Sequence, residues 1–336
     1  MTDTAAADRL HRAALVADLH CDSILPHMKG ERDLAQRSAL GHLDLPRMIE
    51  GGVNLQVFAI WTDPKKLKPG EFGPFVLRGI EAVKDLCARN SDRIALALTP
   101  ADALDIFRSG RIAAVIGVEG GHALEGDLER LAEWYSSGVR VLTLTWCNSN
   151  ALADSGADDN RPHNGLSGLG RDAIRLMNRL GMIVDVSHCS DDAFFQIVET
   201  SAAPVIASHS GVRSRRDFSR NLTDAQLKAL AGNRGVMGMV FLPYFLNPDE
   251  RQASIADVVA GIDHVVQLVG PEHVGLGSDF DGFAGNLAGL EDVAKLPALT
   301  RRLLELGYSE AAVRGILGSN FLHVWQEVAQ VVAHDN

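Results

Sequence analysis

The sequence alternates short apolar runs, rich in β-branched residues, with longer runs whose apolar residues recur at helical spacing. The clearest candidate strands cover residues 15–19, 53–60, 112–118, 139–144, 182–186, 204–208, 235–240 and 274–277. Strict alternation of strands and helices implies parallel strands joined by right-handed crossovers, and eight such strands can close into a barrel. We therefore predict a (β/α)8 TIM barrel that spans residues 1–336 as a single domain.

An open, doubly wound sheet is the alternative architecture. It would carry a glycine-rich phosphate-binding loop after its first strand, but residues 18–25 contain no glycine. A ninth apolar run, at residues 94–98, exceeds the count of eight strands and is interpreted as an accessory strand or as the foot of a helix. The barrel remains the favoured prediction.

Capping residues mark the ends of several predicted helices. A threonine or serine stands at each start and a glycine at each stop, as N-caps and C-terminal glycines require. The predicted start and stop pairs are Thr99 with Gly110, Thr223 with Gly232, and Ser254 with Gly270. Residues 153–170, rich in Asp, Asn and Gly, are predicted to form a long loop.

Charge and cysteine content narrow the classes of partner and compartment. A formal net charge of -11 argues against a nucleic-acid surface and leaves small molecules as the expected partners. Four scattered cysteines without C-x-x-C spacing fit reduced thiols. Because neither an apolar leader nor a run of membrane-spanning length is found, we expect a cytoplasmic protein without a membrane anchor.

Potential metal ligands stand at the carboxyl ends of five predicted strands. A histidine and a carboxylate two residues apart on an extended chain point to the same face, so both can reach one cation. The strand ends of a barrel meet at one rim, where catalytic groups collect. The candidate residues are His20, Asp22, Glu119, His188, His209 and Asp279.

Three imidazoles and three carboxylates are too many for one tetrahedral zinc ion. Two ions roughly 3.5 to 4 Å apart could share them, with one carboxylate bridging both. Glu119 is the best bridging candidate, because it lies between the two groups in chain order and is followed by Gly120 and Gly121. The sequence therefore predicts two Zn²⁺ ions per chain.

Each candidate also has a simpler interpretation. His188 or His209 alone would more often be a hydrogen-bonded core histidine, but a serine precedes both at the ends of successive candidate strands, so coincidence is disfavoured. Asp279 and Asp281 could belong to a calcium loop. An EF-hand loop counted from Asp279 would need glycine at Ala284 and glutamate at Leu290, which makes that interpretation poor.

Motifs along nearly the whole chain resemble the renal, or membrane, dipeptidases, which are zinc peptidases of the metal-dependent hydrolase superfamily with a (β/α)8 barrel. The motifs are His20-x-Asp22, Asp44-Leu45-Pro46, Gly51-Gly52-Val53, Gly117-Val118-Glu119-Gly120-Gly121-His122, Leu142-Thr143-Leu144-Thr145, Asp185-Val186-Ser187-His188, Pro204-Val205-Ile206, Ser208-His209-Ser210 and Gly277-x-Asp279-Phe280-Asp281-Gly282. The resemblance implies a small dipeptide substrate and a homodimer.

The resemblance also implies a role for each candidate. One zinc ion would be held by His20, Asp22 and Glu119, and the other by Glu119, His188 and His209. Asp279 matches the acid beside the bridging water, and Arg220 matches the arginine that receives the substrate carboxylate. Hydrolysis would proceed by a metal-bridging hydroxide, with Asp279 and Glu119 as catalytic residues.

One position departs from the family pattern. Trp146 follows Thr143-Leu144-Thr145, where mammalian members carry a substrate-binding histidine. Indole donates one hydrogen bond but accepts none and carries no charge. Either His122 or His163 takes over the substrate-binding role of that histidine, or Trp146 forms part of the wall of a more apolar substrate pocket.

We therefore predict a two-zinc dipeptidase that hydrolyses L-Xaa-L-Xaa and L-Xaa-D-Xaa. Trp146 motivates an alternative in which the same site cleaves another amide or ester, such as an N-acyl amino acid or a lactone. A third possibility is a non-catalytic relative that holds metal and binds peptides. It would be expected to have lost a ligand or the acid, and all six candidates are present.

Overall fold

The computed structural model describes residues 4–334, and its centre is a closed ring of parallel strands. The strands are β1 (Ala17–Cys21), β2 (Leu55–Trp61), β3 (Ile94–Leu96), β4 (Ile112–Glu119), β5 (Val139–Thr143), β6 (Ile183–Asp185), β7 (Ile206–Ser210), β8 (Val236–Met239) and β9 (Val274–Leu276). The ring runs β1, β2, β4, β5, β6, β7, β8, β9 and returns to β1. The predicted (β/α)8 barrel is confirmed, and closure excludes the open sheet.

β3 lies outside the ring and accounts for the ninth apolar run. It pairs with residues 112–114 of β4, whereas β5 pairs with β4 only from Ile116 onward. β4 is longer than β5, so its first residues leave a free edge that β3 covers. Of the two interpretations of residues 94–98, the accessory strand is correct.

Helices surround the barrel and follow most of its strands. They are α1 (Thr4–Ala13), α2 (Ile24–Met28), α3 (Leu45–Gly51), α4 (Phe72–Arg89), α5 (Pro100–Arg108), α6 (Glu129–Ser136), α7 (Gly168–Leu180), α8 (Asp191–Thr200), α9 (Asp224–Gly232), α10 (Pro243–Leu246), α11 (Ile255–Val269), α12 (Leu296–Glu305), α13 (Glu310–Arg314) and α14 (Asn320–His334). Short 3₁₀ turns cover Gly121–Leu124, Glu250–Gln252, Pro271–His273 and Val293–Lys295, and a π-helical turn, Gly315–Ser319, joins α13 to α14. Within residues 4–334, no helix is long and apolar enough to cross a bilayer.

The predicted caps are present, and one predicted loop is too long. Capping boxes start α5, α9 and α11 at Thr99, Thr223 and Ser254. The loop expected at residues 153–170 ends earlier, because the Ser167 hydroxyl accepts from the Gly170 amide and α7 begins at Gly168. A side chain at Gly170 would lie 2.2 Å from the Leu152 carbonyl oxygen, so close packing explains why glycine stands within this first turn.

The barrel interior and the helix layer form two separate apolar clusters. Along β4, Ala113 and Val115 pack inside the barrel, while Ala114, Ile116 and Val118 face the surrounding helices. Phe321 and Trp325 of α14 are fully buried in the interior cluster and fill the amino-terminal end of the barrel. The carboxyl-terminal end is left for polar residues.

Candidate metal centre

The structure brings all six predicted ligand candidates together at the carboxyl-terminal mouth of the barrel. Every one of them is buried. Their donor atoms fall into three overlapping groups, each within 4.8 Å: His20, Asp22 and Glu119; Glu119, His188 and His209; and His20, His209 and Asp279. Overlap of these groups means that they form one continuous cluster.

Two shifts in strand register turn His20 and His209 toward the centre of the barrel. β1 shifts register against β2 between residues 18 and 21, and β7 shifts against β8 between residues 207 and 210. Each shift inserts one additional residue into its strand, which is a β-bulge and re-aims the local side chains. Simple alternation along a strand therefore does not explain how these two histidines reach the cluster.

His188 and Asp279 reach the same centre from left-handed backbone. Their φ angles are 69° and 60°, a conformation that side chains other than glycine rarely adopt and that costs about 1 to 3 kcal/mol per residue. Backbone hydrogen bonds hold both positions. The His188 carbonyl accepts from Gly156 N at 2.8 Å, and Asp279 N donates to the His20 carbonyl at 3.1 Å.

Glu119 divides its two carboxylate oxygens between the histidines. Oε1 lies 2.8 Å from His188 Nε2 and 3.5 Å from His209 Nε2, while Oε2 lies 3.6 Å from His20 Nε2. Asp22 Oδ2 lies 3.7 Å from the same His20 nitrogen. One carboxylate thus faces two groups of donors at once, which is the arrangement of a bridging ligand.

The spacing of the donors around His20 fits a cation better than hydrogen bonds. Ligands of a tetrahedral zinc ion at about 2.0 to 2.2 Å lie roughly 3.3 to 3.6 Å from one another. The 3.6 Å separation of His20 Nε2 from Glu119 Oε2 fits this range. His20 Nε2 is buried and has no hydrogen-bond partner among the residues that the structure describes. A buried nitrogen in this state is satisfied when it binds a metal ion.

A hydrogen-bond chain fixes the tautomer of His209. The Ser208 hydroxyl donates to Asp185 Oδ2 at 2.6 Å, so its oxygen accepts from His209 Nδ1 at 2.8 Å. Nδ1 therefore carries the proton, and Nε2 presents its lone pair to the cluster. At the neighbouring candidate ligand, His188, the sulfur of Cys147 lies 3.8 Å from Nδ1.

The cluster is electrostatically suited to bind cations. Burial and the charge of Arg220 lower the pKa of His188 to about 4, so this imidazole is neutral at physiological pH. Burial raises the pKa of Glu119, but the charge of His20 and a hydrogen bond from His188 outweigh it and hold that pKa well below its usual range. Burial lowers the pKa of His20, but the charges of Glu119 and Asp22 outweigh it and raise that pKa well above its usual value, so a zinc ion would replace a proton on this imidazole. The ionised carboxylate of Glu119 and the neutral imidazole of His188 are already in the forms that bind zinc.

Two buried aspartates, to which the sequence analysis assigned no role, connect neighbouring strands beneath the cluster. Asp185 accepts from Thr143 Oγ1 at 2.5 Å and from Ser208 N at 2.9 Å. Asp18 accepts from Ser278 N at 2.8 Å and from Ser278 Oγ at 2.6 Å. The sequence did contain a signal for these two residues, which is an acidic residue inside an otherwise apolar strand. Acidic residues are rarely buried without partners, so this pattern indicates a buried aspartate that is hydrogen-bonded.

A cavity of about 560 Å³ opens above the cluster, and Arg220 lies in its wall. The Arg220 side chain is buried, with its guanidinium carbon 5.3 Å from the centre of the Phe245 ring. Its Nε and Nη2 atoms find no hydrogen-bond partner within residues 4–334. Unpaired buried donors of a guanidinium match the two oxygens of a carboxylate.

The predicted substrate-binding positions separate into two groups. Trp146 lines the cavity, and its ring centre lies 4.8 Å from that of Trp61 and 6.5 Å from that of His188. Neither His122 nor His163 is among the described residues that line the cavity. His122 Nε2 instead contacts the Thr62 hydroxyl at 2.8 Å, which holds the imidazole away from the cavity.

A (β/α)8 barrel with clustered imidazoles and carboxylates at its mouth defines the class of metal-dependent hydrolases. Residues 4–336 match the family model described as "Membrane dipeptidase (Peptidase family M19)". The chain belongs to this family.

Similar proteins agree with this membership. The dipeptidase tcpJ of Claviceps purpurea is 35% identical over 97% of this chain and 76% of its own length. The dipeptidase verJ of Clonostachys rogersoniana is 39% identical over 87% of this chain and 77% of its own length. The chain is therefore a metallopeptidase of the dipeptidase type, which implies a metal cofactor and a small dipeptide substrate.

Solved structures show the same fold. The probable dipeptidase PvdM from Pseudomonas aeruginosa superimposes with a TM-score of 0.89 at 25% identity and covers 98% of each chain. A metallopeptidase from Rhodobacter sphaeroides, liganded with a phosphinate mimic of the dipeptide L-Ala-D-Ala, gives a TM-score of 0.86 at 28% identity. That alignment covers 94% of this chain and 99% of the other.

Proposed function

We propose that the protein is a two-zinc dipeptidase whose metal ions share Glu119. The division of the Glu119 carboxylate between His20 on one side and His188 and His209 on the other is the observation that carries the proposal. Asp22 completes the first group of donors. When bound, two such ions lower the pKa of a water between them and polarise the substrate carbonyl.

Arg220 is proposed to bind the free carboxylate of the substrate. Its unpaired Nε and Nη2 atoms would donate two parallel hydrogen bonds to the carboxylate oxygens. The fixed distance from Arg220 to the metal ligands would limit cleavage to peptides whose C-terminus lies one residue beyond the scissile bond. Dipeptides meet this condition at their only peptide bond, and longer peptides meet it only at their last one.

Asp279 is proposed to transfer a proton from the attacking water to the leaving amine. Burial raises the pKa of Asp279 well above its usual value, and the charges of Asp22 and Glu119 act in the same direction. A carboxyl group with a raised pKa can take a proton from the attacking water and hand it to the leaving amine. Asp279 Oδ1 lies 4.0 Å from His20 Nε2, so the acid is adjacent to the proposed metal ligands.

The proposed substrates are L-Xaa-L-Xaa and L-Xaa-D-Xaa dipeptides. The Rhodobacter sphaeroides structure carries a mimic of L-Ala-D-Ala, which supports acceptance of a D-residue on the C-terminal side. Purified protein reconstituted with zinc should hydrolyse members of both series. Absence of turnover across the panel, with two zinc ions per chain shown by elemental analysis, would exclude the proposed activity.

The bridging role of Glu119 has a separate test. Glu119→Gln removes the charge while it keeps the shape, so both groups of donors lose a ligand. We expect the zinc content to fall from about two ions per chain to about one or none. A variant that keeps two tightly held ions would show that Glu119 does not bridge.

A further inference from the structure

Two tryptophans form an aromatic wall in the cavity. Trp61 is the last residue of β2, and Trp146 lies three residues after β5. Their ring centres are 4.8 Å apart with the planes tilted by 49°, and both side chains line the cavity. Two adjacent indoles provide a large, rigid and uncharged surface. We call Trp61 and Trp146 the tryptophan wall.

Trp61 of the tryptophan wall lies across the barrel from the proposed carboxylate site. In the ring order, β2, which ends at Trp61, stands opposite β7. Arg220 and Phe218 follow β7, Phe245 follows β8, and the tryptophan wall follows β2 and β5. The proposed metal ligands Glu119, His188 and His209 line the same cavity. A dipeptide with its carboxylate at Arg220 and its carbonyl at the metal ligands therefore extends its N-terminal residue toward Trp61, which packs against Trp146.

The charged residues of the cavity rim lie away from the tryptophan wall, and Lys29, Glu31 and Arg32 belong to the segment after β1. Arg32, on the segment after β1, forms an ion pair with Asp281 and donates to the Leu40 carbonyl at 2.8 Å. Asp281 also accepts from the His42 backbone amide at 2.8 Å. Arg32 and Asp281 are therefore occupied by one another, and the tryptophan wall itself offers no charge to a substrate side chain.

We infer that the tryptophan wall is the subsite for the side chain of the substrate's N-terminal residue, and that it selects apolar and aromatic side chains. This inference rests on the proposed dipeptidase activity and names its preferred substrates. Burial of a leucine or phenylalanine side chain against the indoles corresponds to a preference of roughly tenfold to 150-fold over alanine. An aspartate in the same place would lose its hydration, and the tryptophan wall offers it no cation in return.

The test compares kcat/KM for Phe-Ala, Leu-Ala, Ala-Ala and Asp-Ala in the wild type, Trp146→Ala and Trp146→His. We expect the wild type to prefer Phe-Ala over Ala-Ala by tenfold or more, and Trp146→Ala to reduce this ratio to about threefold or less. Trp146→His should also reduce the ratio, because imidazole is smaller and polar. Ala-Phe and Ala-Ala form the matched control pair, whose ratio should not change.

Binding provides a readout that does not depend on turnover. Calorimetric affinities of phosphinate mimics of Phe-Ala and Ala-Ala should show the same preference in the wild type and its loss in Trp146→Ala. Trp146→Phe keeps an aromatic ring and serves as a variant that should fold and retain most of the preference.

The outcomes separate the two proposals. If both the wild type and Trp146→Ala cleave dipeptides, and their ratios of kcat/KM for Phe-Ala to Ala-Ala are equal, the subsite assignment is overturned. The proposed dipeptidase activity would still stand. Failure of the zinc-loaded wild type to cleave any dipeptide overturns both.

Discussion

Replacement of Arg220 by methionine should separate substrate recognition from stability. The guanidinium is buried in the cavity wall, and two of its donor atoms have no partner among residues 4–334. Each unpaired buried donor costs the free protein about 1 to 3 kcal/mol, and a bound carboxylate would remove that cost. Loss of one member of a buried charge pair typically costs about 2 to 5 kcal/mol.

For Arg220→Met we therefore expect kcat/KM for a dipeptide to fall by roughly 30-fold to several thousand-fold. The thermal midpoint of the metal-loaded protein should stay the same or rise, because methionine fills a similar volume without unpaired donors. Methionine cannot reproduce the contact of the cation with the Phe245 ring, whose loss is a smaller effect of about 0.5 to 1 kcal/mol.

The assay pairs the variant with a modified substrate. A dipeptide whose C-terminus is an amide lacks the carboxylate that Arg220 is proposed to bind. The amide should lower kcat/KM strongly in the wild type and very little in Arg220→Met, since the interacting pair is already broken. An equal loss in both proteins would refute carboxylate binding by Arg220. A clear fall in the thermal midpoint would refute the reasoning from unpaired donors.

Three further predictions address other residues. Asp279→Asn should keep the zinc content while kcat falls by roughly 10²- to 10⁴-fold, and unchanged activity would exclude the proton-transfer role. Cys147 is the exposed member of the four cysteines and lines the cavity, so a maleimide should modify it first and block turnover, with Cys147→Ser resistant. His11 is buried, its Nε2 contacts the Gly51 carbonyl at 2.7 Å, and burial lowers its pKa below 6.5. The unfolded chain therefore protonates His11 more readily than the folded protein does. As a result, the stability that His11 contributes is fully present above about pH 6.5 and is lost as the pH falls toward the lowered pKa of the folded protein. Thermal melts between about pH 7.5 and about pH 5 should be less pH-dependent for His11→Asn, and equal slopes would contradict the assignment.

The barrel was predictable because its strands and helix caps are encoded locally. Eight apolar runs gave eight ring strands, and serine or threonine caps marked the starts of α5, α9 and α11. Boundaries were less accurate where packing decided them. β1 lies at 17–21 instead of 15–19, and α7 begins at Gly168 within the predicted loop, where the Ser167 hydroxyl accepts from Gly170 N.

The convergence of the ligand candidates was predictable from strand ends, but their orientation was not. His20 and His209 lie in bulges, and His188 and Asp279 have left-handed backbone. These irregularities are set by contacts between strands and by loop hydrogen bonds, which leave no periodic signal in the sequence. His122 illustrates the same limit, since the side chain of a residue that directly follows a glycine pair can face either way. The expected homodimer and cytoplasmic location stay predictions.

The apolar plug formed by Phe321 and Trp325 has an evolutionary consequence. The α14 side chains close one end of the apolar barrel interior, and the candidate metal ligands occupy the opposite end. Loops at the mouth can then acquire new side chains without disturbing the packing inside the barrel. Variation in substrate choice among relatives should accordingly accumulate at the mouth, and directed libraries built there should retain a folded scaffold far more often than libraries built in α14.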